Sequence, residues 1–205
     1  MYADHLFRGH FIAGPGHFPL AEGWSSVPFA EGFNITVPPG TPTTEIHRDN
    51  RRIFCIGRML RPDAPPTGAR AIAADILDRS MDFDSFERVI RNLAGRWLII
   101  IMIRDELRIY PDAMGLYPLF RHIGNGAAWF ATLPGLFEHF LDLAPVRNRP
   151  FRRDNSKFGV GQLGYFDHTD QLVPNHYFTL CRTRITRVWP DRSLPDHSLE
   201  DAAAL

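Results

Sequence analysis

At 205 residues, 44% hydrophobic and 22% charged, the chain is long enough to bury a sizeable core as one domain. Lys plus Arg (23) balance Asp plus Glu (23), so no net charge draws it towards nucleic acid or an anionic membrane. Two cysteines and no secretory signal imply reduced thiols in a cytoplasmic protein rather than a disulfide framework. Lys157 is the lone lysine, a skew towards Arg that fits a GC-rich coding sequence better than phosphate recognition.

Up to about Met59, apolar and polar residues alternate around Gly and Pro turns. An example is Phe33-Asn34-Ile35-Thr36-Val37 before Pro38-Pro39-Gly40, and the pattern predicts short antiparallel strands. Residues 67–93 carry one long helical pattern or two shorter ones, with Ile72, Ile76, Leu77, then Phe83, Phe86, Val89, Ile90 and Leu93 at helical spacing. Residues 97–103 form an apolar run bounded by Gly95 and by Arg104-Asp105. It is far too short to span a membrane and predicts a strand buried on both faces. Leu107, Ile109 and Tyr110 form the return strand; Pro111, Asp112 and Gly115 break it; Tyr117, Leu119 and Phe120 begin the next. Residues 133–143 read as an amphipathic helix and 155–165 as a short element before the terminal strands. Pattern alone says α+β. Residues 1–190 make the domain; 191–205 are a polar, Pro-containing linker and the start of an N-capped helix of barely two turns.

Two ordered stretches carry a family resemblance. Gly95, an apolar strand, Asp112, Gly115, Pro118, Leu119, Phe120, then Phe130-Ala131-Thr132 follow the order glycine, strand, Asp-x-x-Gly-x-x-Pro-Leu-aromatic turn, aromatic-Ala-Ser/Thr. Further on, Leu172-Val173-Pro174-Asn175-His176 stands where an L-x-P-G-H turn would, and Arg187-Val188-Trp189-Pro190 where an aromatic exit would. Asn175 replaces Gly, and both tolerate positive φ. This series resembles the N-terminal glutamine amidotransferase domain of the asparagine synthetase family. The resemblance implies a four-layer αββα sandwich, two antiparallel sheets between helices, of the N-terminal-nucleophile hydrolase type.

The chemistry of that family has no counterpart here. Its active members expose a Cys directly after the initiator Met, whose thiol attacks the glutamine amide with the freed amino group as base. This chain begins Met1-Tyr2-Ala3-Asp4. The nearest match to the family's Asn-Gly oxyanion element is Cys55-Ile56-Gly57-Arg58, on a strand followed by a turn, and Ile56 offers no amide donor. A Pro-rich segment, residues 61–68, replaces the acidic clamp for the substrate's amino group. Cys55 is the weak candidate for a displaced nucleophile, but its apolar neighbours argue for an inert buried thiol. Cys181 on a terminal strand reads as structural. None of the nine histidines, His5, His10, His17, His168 and His176 among them, has a metal-ligand spacing. Ser25, Ser26 and Ser156 lack a G-x-S-x-G setting. Arg147, Arg149, Arg152 and Arg153 read as a solvated loop, or as a docking surface for an anionic partner.

Three functions follow. The first is a catalytically silent glutaminase-like domain of an asparagine synthetase-like, ATP-dependent amide-forming protein. It would dock to a C-terminal synthetase domain in cis or assist formation of a homodimer, with ATP and Mg bound by that other domain and no cofactor or metal in this one. The second is a stand-alone module holding a small amide or amino acid between the sheets. The third is a glutamine hydrolase using Cys55. An S-G-G-x-D-S loop, the family's ATP pyrophosphate motif, is absent from residues 1–205, which reads as a fragment or a free-standing remnant.

Overall fold

The computed structural model describes residues 7, 9–16, 23–63, 67–145, 166–180 and 184–189. The N-terminal residues 1–6, His17, the Arg147–Arg153 cluster, Ser156, the element expected at 155–165, Cys181, Pro190 and the 191–205 tail lie outside the described residues.

Twelve strands and three helices are described. The strands are β1 (Ile12–Gly14), β2 (Ser25–Ala30), β3 (Phe33–Val37), β4 (Thr43–Arg48), β5 (Arg51–Leu60), β6 (Ala94–Ile103), β7 (Glu106–Pro111), β8 (Leu119–Gly124), β9 (Ala127–Ala131), β10 (Thr169–Leu172), β11 (His176–Thr179) and β12 (Arg184–Arg187). The helices are α1 (Ala69–Arg79), α2 (Phe83–Ile90) and α3 (Gly135–Leu141). One six-stranded sheet, here sheet A, runs β10-β8-β9-β1-β3-β2; sheet B runs β12-β11-β7-β6-β5-β4. All registered pairs are antiparallel. Pro28, which cannot donate to a ladder, sits in edge strand β2.

Strand alternation sorts the side chains into layers. Phe54, Ile56, Leu98 and Ile100 of sheet B meet Phe33, Ile35 and Phe130 of sheet A, and Phe11 just before β1, between the sheets. The other face of sheet B presents Ile53, Cys55, Trp97, Ile99 and Ile101 to Ile72, Ile76, Phe86 and Val89 of the first two helices. The outer face of sheet A, through Ile12, Phe120 and Ala131, receives Leu136 and Phe137 of α3. The expected four-layer α+β sandwich is the architecture found.

Residues 67–93 form two helices, separated at Ser80–Asp82. Asp82 caps the second, accepting from the Ser85 N–H at 2.8 Å while Ser85 Oγ accepts from the Asp82 N–H at 3.0 Å. The helix expected at 133–143 is shorter, because Pro134 stands at its N-cap and Asp142 adopts φ 53° at its C-cap. The Cys55–Arg58 segment lies inside the ten-residue β5, pairs with residues 96–99 of β6, and its strand runs into a turn at Pro62–Asp63.

Candidate functional site

The two family-like turns meet in space. Asp112 is buried, and its Oδ1 accepts from the Met114 and Leu116 N–H groups (3.1 and 2.9 Å) and its Oδ2 from Tyr117 N–H (2.8 Å). Gly115 lies so close to Pro174 that a Cβ there would stand 3.0 Å from the proline Cγ. Beside it Asn175 takes φ 60°, its carbonyl accepting from Val188 N–H at 2.6 Å, and His176 Nδ1 bonds the Pro174 carbonyl at 2.9 Å. Pro118 leads from this turn into β8. Gly95 is not part of the turn pair; it stands opposite Met59 in the β5–β6 ladder, two positions along from the Gly57–Trp97 pair. A Cβ on Gly95 would meet Arg58 O at 2.3 Å, one on Gly57 would meet Arg96 O at 2.4 Å, and both glycines have positive φ. The β5–β6 ladder holds this close backbone approach only because neither residue carries a side chain.

Tyr117 joins this end of the sandwich to the start of β1. Its hydroxyl donates to Gly9 O, its ring lies against the Gly57 position, and the Arg96 guanidinium sits 4.8 Å from the ring centroid. Just past the end of β9, Thr132 Oγ1 accepts from Phe11 N–H at 3.0 Å and is 3.1 Å from His10 Nδ1. Burial, and then the nearby Arg96 charge, hold the His10 imidazole below its ordinary pKa. Burial pushes the Tyr117 phenol up, against the opposing pull of Arg96. A hydroxyl beside a neutral imidazole is the bare form of a nucleophile–base pair. Here, however, Thr132 is fully buried and committed to the β1 backbone. The cluster therefore binds residues 9–11 to the sheet.

Cys55 is elsewhere. It projects from β5 towards the helices, is 2% exposed, and burial raises its thiol far above the ordinary value. A thiol held neutral and out of solvent is a poor nucleophile. Among the described residues no group of three or more His, Cys, Asp or Glu side chains is placed to hold a metal ion. None of the described helices is long and apolar enough to cross a membrane.

Sequence reasoning picked out Asp112, Gly115, Pro174, Asn175 and His176, which come together, and Gly95, which serves the β5–β6 ladder. It missed the Gly9–His10–Arg96–Tyr117–Thr132 cluster, whose members are scattered over more than 120 positions with no local spacing to betray them. In the sequence Thr132 and Tyr117 stand out only as members of a turn and a strand pattern.

No family model matches the sequence, and no curated protein matches it. Among solved structures, glutamine phosphoribosylpyrophosphate (PRPP) amidotransferase from B. subtilis, complexed with ADP and GMP, superposes with a TM-score of 0.53 at 11% identity over 92% of this chain. A structure described as the allosteric regulatory enzyme of purine biosynthesis gives 0.52 at 11% identity, also over 92%. The chain spans 45% and 44% of those two chains, less than half of each. At this identity the likeness establishes the fold alone, two antiparallel sheets stacked between helices as in those two structures.

Proposed function

We propose that the chain is a catalytically silent glutaminase-like domain of an asparagine synthetase-like, ATP-dependent amide-forming protein, acting in structure or docking rather than in glutamine hydrolysis. The observation that carries the reading is the closure of the start of β1. Tyr117 and Thr132 take up the Gly9 carbonyl and the Phe11 amide, and the hydroxyls that do so are themselves bonded there. The remaining thiol of the sequence motif, Cys55, is sealed beneath the helices. ATP and Mg would belong to the parent's other domain, and no residue of this chain is assigned to them. The docking partner would be that domain in cis, or a second copy of the chain.

Ammonia release from millimolar glutamine tests the silent reading. The chain and its Cys55→Ala variant should both stay at the no-protein rate. Release that disappears in Cys55→Ala would replace the proposal with a hydrolase using a displaced nucleophile. Sequencing the coding DNA past the codon for Leu205 tests the parent: an in-frame S-G-G-x-D-S segment within about one domain's length is expected.

A further inference from the structure

Arg58 and Arg96 stand directly opposite each other in the β5–β6 ladder. Opposed side chains leave a sheet with their Cβ atoms roughly 5 Å apart, so like charges placed there repel and cost stability. An acid nearby would relieve the repulsion. Neither arginine makes an ion pair among the described residues, and both are exposed. Asp112, in the turn after β7, is spent on three backbone N–H groups.

The backbone holds the two together. Each arginine follows a positive-φ glycine, and each glycine packs against the other arginine's carbonyl: Gly95 against Arg58 O, Gly57 against Arg96 O. Met59 and Trp97 turn towards the helices, so alternation puts Arg58 and Arg96 on the other face of sheet B, the face of Ile56 and Leu98. Arg96 is seated there, its guanidinium 4.8 Å from the centroid of the Tyr117 ring, whose hydroxyl is bonded to Gly9 O. The pair therefore stands at the solvent-exposed rim of the layer between the sheets, on a base of two paired strands and a buried aromatic ring.

We propose that Arg58 and Arg96 together bind a doubly charged phosphate group, either free phosphate or the end of a small phosphomonoester. Guanidinium is always charged, and its planar fork of donors matches two phosphate oxygens at a time. A dianion offsets both charges of the pair, whereas a carboxylate offsets one. Binding turns the mutual repulsion into a shared attraction, so the native state gains stability with the ligand. The site does not rest on the silent-domain reading: ammonia release tests that one, and phosphate binding is measured without any reaction.

Inorganic phosphate, titrated calorimetrically into the full chain at constant ionic strength and a pH that keeps it dianionic, should bind at millimolar concentration and raise Tm. Acetate should bind at least about tenfold more weakly. Arg58→Gln and Arg96→Gln should each weaken phosphate by about tenfold. Arg58 is exposed, so its variant keeps the fold even if Arg96→Gln disturbs the Tyr117 contact. Arg70→Gln, on an exposed α1 arginine with no ion pair among the described residues, should bind phosphate as the parent chain does. Glycerol 2-phosphate separates the sources: tighter binding than inorganic phosphate assigns the site to a monoester, and equal or weaker binding to free phosphate. The proposal is overturned if millimolar phosphate gives no heat and no rise in Tm, or if Arg58→Gln binds it as tightly as the parent. It is equally overturned if Arg70→Gln loses as much as Arg58→Gln, because binding would then follow general positive charge.

Discussion

Asp112 accepts three backbone N–H groups from the five residues that follow it, and Asp112→Ala would strip all three of their acceptor inside the fold. The expected loss is about 3 kcal/mol or more, read as a lower urea midpoint, because each buried orphan donor costs roughly 1–3 kcal/mol. Asp112→Asn, which keeps one carbonyl oxygen, should lose less. The Asp-x-x-Gly spacing made this turn legible in the sequence; the three recipients of the carboxylate were not, since they depend on how the loop closes. Two histidines carry a pH dependence. His10 and His122 both have folded pKa values below their ordinary one, each chiefly through burial. Unfolding therefore takes up protons, and stability should be full above about pH 6.5 and fall as pH drops from there towards the folded pKa values. Melting curves between pH 7.5 and 5 check this, and His10→Gln with His122→Gln should flatten the slope. A slope unchanged in the double variant would place the titration elsewhere.

At the scale of elements, α1 ends on a side chain borrowed from the sheet. The buried Arg51 guanidinium of β5 donates to the Leu77 and Ser80 carbonyls at 3.0 and 2.9 Å, and Ser80 Oγ donates to Ile76 O at 2.6 Å. These carbonyls would otherwise be unpaired at the helix end. Arg51→Met keeps the apolar stem and deletes the bonds, so a loss of about 2–3 kcal/mol is expected on denaturant unfolding. The β5–β6 ladder is equally intolerant at its glycines. Gly95→Ala would press a Cβ into the Arg58 carbonyl at φ +107°, with about 1–3 kcal/mol of strain expected. If Gly95→Ala melts with the parent chain, the close approach of the two strands is wrong. Periodicity found the helical stretch at 67–93 but left its division open, because Ile72 to Leu93 keep one apolar rhythm through the break. The Asp82–Ser85 box and the Arg51 cap settle it as two helices, and only the first of those signals is local.

At the scale of the molecule, β6, like its neighbour β5, is covered on both faces, with Leu98 and Ile100 between the sheets and Trp97, Ile99 and Ile101 under the helices. Amide exchange should accordingly be slowest in β6 and faster in edge strands β2, β4, β10 and β12. Exchange in β6 as fast as in those edges would mean that the helix layer does not stay closed. The unbroken apolar run at 97–103 was readable by itself as a doubly buried strand, and the ordered turns from Asp112 to His176 pointed to the amidotransferase-like sandwich. Hydrophobic pattern and turn chemistry are local, so the sequence alone determined the α+β class and where the buried strands and helical stretches lie. Only the tertiary structure decided that Cys55 faces the helices. It alone also brought Gly9, Arg96, Tyr117 and Thr132 to one end of the sheets. Those outcomes depend on strand order, register and the crossing of segments far apart in the chain, which local spacing does not encode.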